Sequence, residues 1–127
     1  MLTYTHPICS SLPCRFKKGT NVTVEFTFKP TSDHVELYHV VYLNITDIRQ
    51  NFSGLHNTIA CPFIHPVNKP QDNGCPLKAG EEYLYHLQIH IEDTFPRIDF
   101  FMLHWSFRDR AKEIDAICVE LPAKIIA

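Results

Sequence analysis

A chain of 127 residues has room for one hydrophobic core, and 45% hydrophobic residues, including nine Phe, five Tyr and one Trp, supply the material to fill it. Twelve basic side chains against fourteen acidic ones leave a net charge of −2, which excludes both the basic footprint of a nucleic-acid binder and the charge excess of a disordered tail. No apolar run reaches the length of about 18 residues that a membrane-crossing helix needs, and Met1-Leu2-Thr3-Tyr4-Thr5-His6-Pro7 has neither the basic nor the apolar region of a secretory signal.

In chain order, Cys9 and Cys14 come first, enclosing a turn-forming Ser10-Ser11-Leu12-Pro13 whose ends are placed to bridge. After a Lys18-Gly19 turn, residues 22–28 alternate apolar and polar, the period of a half-buried strand, and Pro30 stops it. Residues 35–45 are β-branched and aromatic; Val35, Leu37, Val41, Leu43 and Ile45 share one parity, which His39 interrupts at the centre. Residues 46–82 read as a long irregular stretch, and loops of that length tend to be functional. The alternation resumes at 83–91, with Tyr83, Tyr85, Leu87, Ile89 and Ile91 on one face and His86, Gln88 and His90 on the other. Beyond the Pro96 turn, residues 98–107 place Phe101, Leu103, Trp105 and Phe107 on one face. A last strand over 116–125 contains Pro122, which calls for a bulge or an edge position. The nearest approach to a helix, 109–115, is too short to matter. Strands separated by Gly, Pro and Asn turns indicate an all-β antiparallel sandwich or barrel.

Cysteines and glycosylation sequons bear on the compartment. Cys61 and Cys75 bracket a Pro-, Asn- and Gly-rich segment that is hard to order by burial alone. Closing a loop of that size restricts the unfolded chain by roughly 3 kcal/mol in the entropy model. Buried free thiols are the alternative. The sequons Asn21-Val22-Thr23, Asn44-Ile45-Thr46 and Asn51-Phe52-Ser53 favour an oxidising, secreted setting.

Catalytic and metal chemistry finds little support. His86 and His90 share a strand face but stand about 13 Å apart, too far for one ion. No phosphate cradle, nucleophile elbow or Cys–His arrangement is evident. Glu92, Asp93 and Asp109 fall at turns, where solvated carboxylates are usual. Neither catalytic residue, metal nor cofactor is expected. The inward parities instead gather more aromatic surface than a simple sandwich requires, which fits either a solid core or an apolar pocket where two sheets part.

The stretch Cys75-Pro76-Leu77-Lys78-Ala79-Gly80-Glu81-Glu82-Tyr83-Leu84-Tyr85 closely resembles the second-cysteine motif of the ML lipid-recognition family, to which the Niemann–Pick type C sterol carrier and the group 2 mite allergens belong. Further landmarks are similar in order: Cys9 and Cys14, Lys17-Lys18-Gly19-Thr20 before Val24, Phe26 and Phe28, then Phe95-Pro96, Trp105-Ser106-Phe107, and Cys118-Val119-Glu120-Leu121-Pro122. The resemblance covers residues 1–127 as one domain. It implies an immunoglobulin-like antiparallel β-sandwich of six to eight strands with an apolar cavity between the sheets, and no enzymatic activity. It also implies a fatty acid or sterol as ligand. Phe52, Ile91 and Phe95 correspond to the cavity mouth; Val24, Phe26, Tyr85, Leu103 and Trp105 would line the interior.

Two departures from the family follow. Cys118 matches a cysteine that pairs near the mature N-terminus; no cysteine precedes Cys9, so Cys118 is expected to be unpaired and the chain to have lost a leader and its first few residues. The bridge Cys61–Cys75 spans a longer loop, reshaping the rim. The expected role is a secreted carrier of a fatty acid or related hydrophobic semiochemical, a chemosensory role that the arthropod-like Leu77–Glu81 and Phe95–Ile98 stretches suggest. A sterol carrier of the endosomal or lysosomal lumen and a lipid-presenting accessory of a receptor or hydrolase are the alternatives. A monomer making transient membrane or receptor contact, and no contact with nucleic acid, is expected. Protonating all eight histidines would turn a net charge of −2 positive, so mild acid would favour docking to anionic membranes.

Overall fold

The alternation over 22–28 places Val24, Phe26 and Phe28 on one face of a strand, Asn21–Lys29, and buries all three. The computed structural model describes residues 3–4 and 13–127. Its strands are β1 (Thr3–Tyr4), β2 (Cys14–Lys17), β3 (Asn21–Lys29), β4 (Tyr38–Ile45), β5 (Ile48–Asn51), β6 (Ile64–Pro66), β7 (Tyr83–His90), β8 (Ile98–Asp109) and β9 (Ile114–Ile126). They form a four-stranded sheet, β1-β3-β7-β6, and a five-stranded sheet, β2-β9-β8-β4-β5, whose inner faces make an immunoglobulin-like sandwich. Among the described residues there are nine strands rather than six to eight, because two- and three-residue strands such as β1 and β6 leave no periodic trace in the sequence. All pairings are antiparallel except β2 with β9.

Parity holds where it was strongest. Along β7, Tyr83, Tyr85 and Ile89 are buried while His86, Gln88 and His90 are exposed. Along β8, Phe101, Leu103, Trp105 and Phe107 all face inward. Pro122 lies one residue before the ladder between β9 and β2 begins at Ala123, so its missing N–H falls where that side of β9 is unpaired among the described residues.

Elsewhere, tertiary contacts override the sequence reading. Val35 is exposed and outside β4, whereas His39 is buried in line with Leu37 and Val41. The irregular stretch contains β5 and β6. Thr46 and Asp47, both at positive φ, turn β4 tightly into β5. The segment after β5 then runs back along β4, with Phe52 donating to Val41 O, Asn57 to His39 O and Ala60 to Leu37 O. The Cys61–Cys75 disulfide closes the following loop. Gly74 sits against the Ile64 carbonyl so tightly that a Cβ would lie 2.4 Å from that oxygen.

Asp109 is buried rather than solvated. The turn position read from the sequence did not show that His34 would fold over it: His34 Nδ1 lies 2.7 Å from the carboxylate, which also accepts the Lys112 amide at 3.0 Å. An ionised carboxylate only accepts, so the imidazole donates. These bonds hold the Asp109 carboxyl below its usual value. The folded state therefore gives up that proton more readily than the unfolded chain. Its stabilisation is present above the ordinary carboxylate pKa of about 3.9 and is lost as pH falls through the lower folded value. Asp109→Asn should lower stability at pH 7 by roughly 1–3 kcal/mol. Its melting temperature should approach that of the parent as pH falls through the folded carboxyl value, below the ordinary carboxylate range, which thermal melts across acid pH would check.

Candidate functional site

An apolar hollow of about 80 Å³ lies between the sheets at one end of the sandwich. The five-stranded sheet supplies its floor: Phe16 from β2, Leu43 from β4, Phe101 and Leu103 from β8, and Ile125 from β9. Ile91, just past β7, faces them, and Phe52 and Phe95 stand at the opening. Polar groups occur only at the rim, on Gln50, Asn51 and Ser53, and no charged side chain lines the hollow among the described residues.

Local structure fixes the mouth residues. Gly19 takes φ +77° in the turn between β2 and β3, and its amide donates to Ile91 O at 2.6 Å, while Ile91 N donates to Thr20 O at 2.9 Å. A Cβ on Gly19 would lie 2.7 Å from Asp93 Oδ1, so a larger residue there would displace that carboxylate as well as strain the turn. Phe95 begins from a turn in which its amide donates to Glu92 O. Its ring meets Phe52 edge-to-face, centroids 5.9 Å apart at 78°, across the opening.

Four of the residues expected to line the interior do not reach this hollow. Phe26, Tyr85 and Trp105 are buried in an aromatic cluster, and Val24 is buried on β3 without lining the hollow. Phe26 stacks on Phe107 at 5.9 Å, and Tyr85 approaches Phe26 at 5.1 Å and Phe107 at 4.8 Å. Parity reports which face a side chain takes, not how far along the strand the sheets are filled. Phe52, Ile91, Phe95 and Leu103 do come together around the hollow. Phe16, Leu43, Phe101 and Ile125 join them; their inward parity was the only signal available from the sequence.

At the centre of the aromatic cluster sits His39, which the sequence reading passed over as an interruption. The Tyr85 hydroxyl donates to His39 Nε2 at 2.8 Å, and Nδ1 donates to the Thr58 hydroxyl at 3.0 Å, which in turn donates to Leu55 O at 2.6 Å. This chain of bonds assigns the imidazole its neutral Nδ1–H form. Burial raises the Tyr85 hydroxyl well above its usual value. The Trp105 indole nitrogen, buried nearby, opposes that rise without completing a hydrogen bond of normal geometry.

Among the cysteines, Cys61 and Cys75 are bonded and Cys14 is in a disulfide, while Cys9 lies outside the described residues. Among the described residues Cys118 has no disulfide partner, and it is exposed on the outer face of β9. Burial and the charges of Asp115 and Glu120 push its pKa up, so it is a poor nucleophile at neutral pH. His86 and His90 are exposed, paired across the strands with Glu25 and Asn21 at 2.7 and 2.8 Å. The sequon residues Asn21, Asn44 and Asn51 are all exposed. No helix among the described residues is long and apolar enough to cross a membrane.

A two-sheet β-sandwich with an apolar hollow opening at one end has the form of a lipid-binding module rather than an active site. Comparison with known proteins agrees. The ML-domain family model matches residues 3–125, and the chain belongs to that family of lipid-binding proteins, which are not enzymes. It is 27% identical over 117 residues to the ecdysteroid-regulated 16 kDa protein of Manduca sexta, covering 88% of this chain and 70% of that one. It is 29% identical over 114 residues to NPC intracellular cholesterol transporter 2 homolog a of Drosophila melanogaster, covering 88% and 69%. The crystal structure of a Niemann-Pick type C2 protein from the Japanese carpenter ant superposes with a TM-score of 0.73 at 25% identity, covering 98% of this chain and 89% of that one.

The buried histidine gives stability a second dependence on pH. Burial pushes His39 down to about 4, and its bond to the Thr58 backbone only partly opposes this. The unfolded chain takes up this proton from about pH 6.5 downward while the folded chain holds His39 neutral, so stability falls across that window. The whole effect is roughly 3 kcal/mol. His39 therefore adds no charge in mild acid, and His56, also held below its ordinary value, adds less than expected. His39→Gln should melt lower than the parent at pH 7 but lose less stability between about pH 6.5 and 4, as melts in that window would show. An unchanged slope would count against the assignment.

Proposed function

We propose that the chain is an extracellular carrier of a long-chain fatty acid or a related hydrophobic signalling molecule. The acyl chain enters the hollow beneath Phe52 and Phe95, and the polar end stays among Gln50, Asn51 and Ser53. The carrying observation is that the five-stranded sheet, with Ile91 and Phe95 across from it, surrounds the hollow with apolar side chains, and its only polar lining residues among the described ones, Gln50, Asn51 and Ser53, are exposed. Each methylene leaving water contributes roughly 0.8 kcal/mol, so a sixteen-carbon chain offers about 12 kcal/mol before ordering costs of several kcal/mol are subtracted. Micromolar to nanomolar binding follows without deep hydrogen bonds. A carboxylate or hydroxyl remains at the rim because burying it unpaired is unfavourable.

The disulfide Cys61–Cys75 and the exposed sequon residues support an oxidising, extracellular setting. Asn51, Phe52 and Ser53 form one of those sequons and all line the hollow, so a glycan on Asn51 would stand over its mouth.

The second reading is sterol carriage in an endosomal or lysosomal lumen. It is favoured by the relatives named as cholesterol transporters in Danio rerio and Drosophila melanogaster. The apolar wall serves either ligand. The narrow hollow and the contact between Phe52 and Phe95 suit a flexible chain better than a flat ring system.

Solvent extraction of natively purified protein followed by mass spectrometry separates the two readings: recovery of fatty acid supports the first, and recovery of sterol replaces it. Ile91→Asp, a carboxylate facing an apolar wall, should abolish uptake of a fluorescent fatty acid and leave the circular dichroism unchanged. Undiminished affinity in that variant would remove Ile91 from the mouth.

A further inference from the structure

Residues 52–60 carry Phe52 and Ser53 to the hollow, and their hold on β4 contains one bond of a different kind from the rest. At His39 the hold is backbone to backbone: His39 N donates to Thr58 O at 2.7 Å, and His39 O accepts from Asn57 N at 2.8 Å. Two residues further on, Val41 O accepts from Phe52 N at 2.9 Å, but Val41 N donates to a side chain, His56 Nδ1, at 3.3 Å. An imidazole nitrogen stands where a paired strand would present a carbonyl.

Val41 thereby grips both ends of one turn. Within it, the amides of Leu55 and His56 donate to Phe52 O at 3.2 and 3.0 Å, and the Leu55 side chain is buried. One end of the turn is Phe52, whose ring meets Phe95 across the opening; the other is His56. A backbone N–H only donates, so Nδ1 carries a lone pair, and neutral His56 is assigned its Nε2–H form. A proton on Nδ1 removes that acceptor and sets two N–H groups against each other. Val41 is buried, and a buried N–H left without an acceptor is unfavourable, so the grip on the turn is lost.

We propose that His56 is a positioning residue for Phe52 and an acid-sensitive latch on the mouth, closed while Nδ1 is unprotonated and released when it takes a proton. Cargo bound at neutral pH is then given up faster in mild acid. This rests on the hollow being the ligand site. The charge facing the imidazole is that of Arg49 on β5, which lies over the Tyr42 ring at 3.9 Å. Among the described residues no carboxylate pairs with His56. Burial and Arg49 hold His56 below its ordinary value, so the latch is shut at neutral pH and opens on acidification below about 6.5. His39, the other imidazole on this stretch, stays neutral down to about 4 and keeps its bonds to Tyr85 and Thr58 across that window. The bonds of Asn57, Thr58 and Ala60 to β4 also survive, so the turn loosens without the whole segment leaving the sheet.

The test follows release of a pyrene-labelled long-chain alcohol, whose head does not titrate, from the whole chain into excess methyl-β-cyclodextrin between about pH 7 and pH 5. The parent should release the probe faster in acid by roughly two- to tenfold, the range one neutral hydrogen bond supplies. His56→Asn offers an amide oxygen in place of Nδ1 and cannot titrate, so it should keep the parent's neutral-pH rate throughout. His56→Leu accepts nothing and should release fast at every pH. Nitrogen NMR at neutral pH should find His56 Nδ1 without a proton. A parent that binds the alcohol but releases it at a constant rate overturns the latch alone, as does an acid response that persists in His56→Asn or a proton found on Nδ1. A parent that takes up no alcohol overturns the lipid reading and the latch with it. Should His56→Leu fail to fold, the comparison of His56→Asn with the parent decides.

Discussion

The sandwich depends on being filled at one end. Two β-sheets pack about 10 Å apart, and side chains must occupy that gap wherever the layers stay in register. Phe26, Tyr85, Trp105 and Phe107 do this from both sheets, and every ring in the cluster has another within 6.2 Å. The hollow is the complement of that cluster. Toward Ile91 and Leu43 the inward residues include Phe16, Phe101, Leu103 and Ile125, and they leave the gap open.

The polar centre of that cluster also reaches the opening. His39 cannot be left unpaired in such surroundings, and both ring nitrogens are satisfied, one by Tyr85 and one by Thr58. Thr58 belongs to the segment that begins at Phe52 and is tied along β4 by bonds to Val41, His39 and Leu37. A buried histidine thus orders the chain that carries one of the two rings at the mouth. This also explains why residues 46–82 are not an idle connector: their backbone groups are spent on β4 and β7 rather than on water.

How much of this is visible in the sequence depends on what a period of two encodes. It records which face of a strand is buried, and for β3, β7 and β8 that reading holds residue by residue. It carries no information about depth, which is why Trp105 and Leu103, two positions apart on one face, end in different surroundings. It also treats a polar residue at an inward position as a break, so His39 is missed; a hydrogen bond accepted from Tyr85 and one donated to Thr58, 46 and 19 residues away, are what make its burial tolerable. Asp109 is misread for the same reason, since its partner His34 is 75 residues distant. The bond from Val41 N to His56 depends on how residues 52–60 return along β4, which no spacing within one strand displays. The family motifs, by contrast, lie in contiguous stretches and are legible directly.

The hollow is small. On the scale of an enclosed cavity, about 24 cal/mol per Å³, 80 Å³ of unfilled apolar space costs roughly 2 kcal/mol. A ligand of the usual size range, about 300 Å³ and above, is larger than that space, so its entry requires side chains of the wall to move, among them Phe52 and Phe95, which meet edge-to-face. Breaking a contact of that kind costs about 1 kcal/mol, little more than the burial of a single methylene returns. Separating the two rings is thus a minor term against the transfer of the acyl chain proposed as ligand, and on that proposal selection falls to the wall formed by Leu43, Phe101 and Leu103 rather than to the opening.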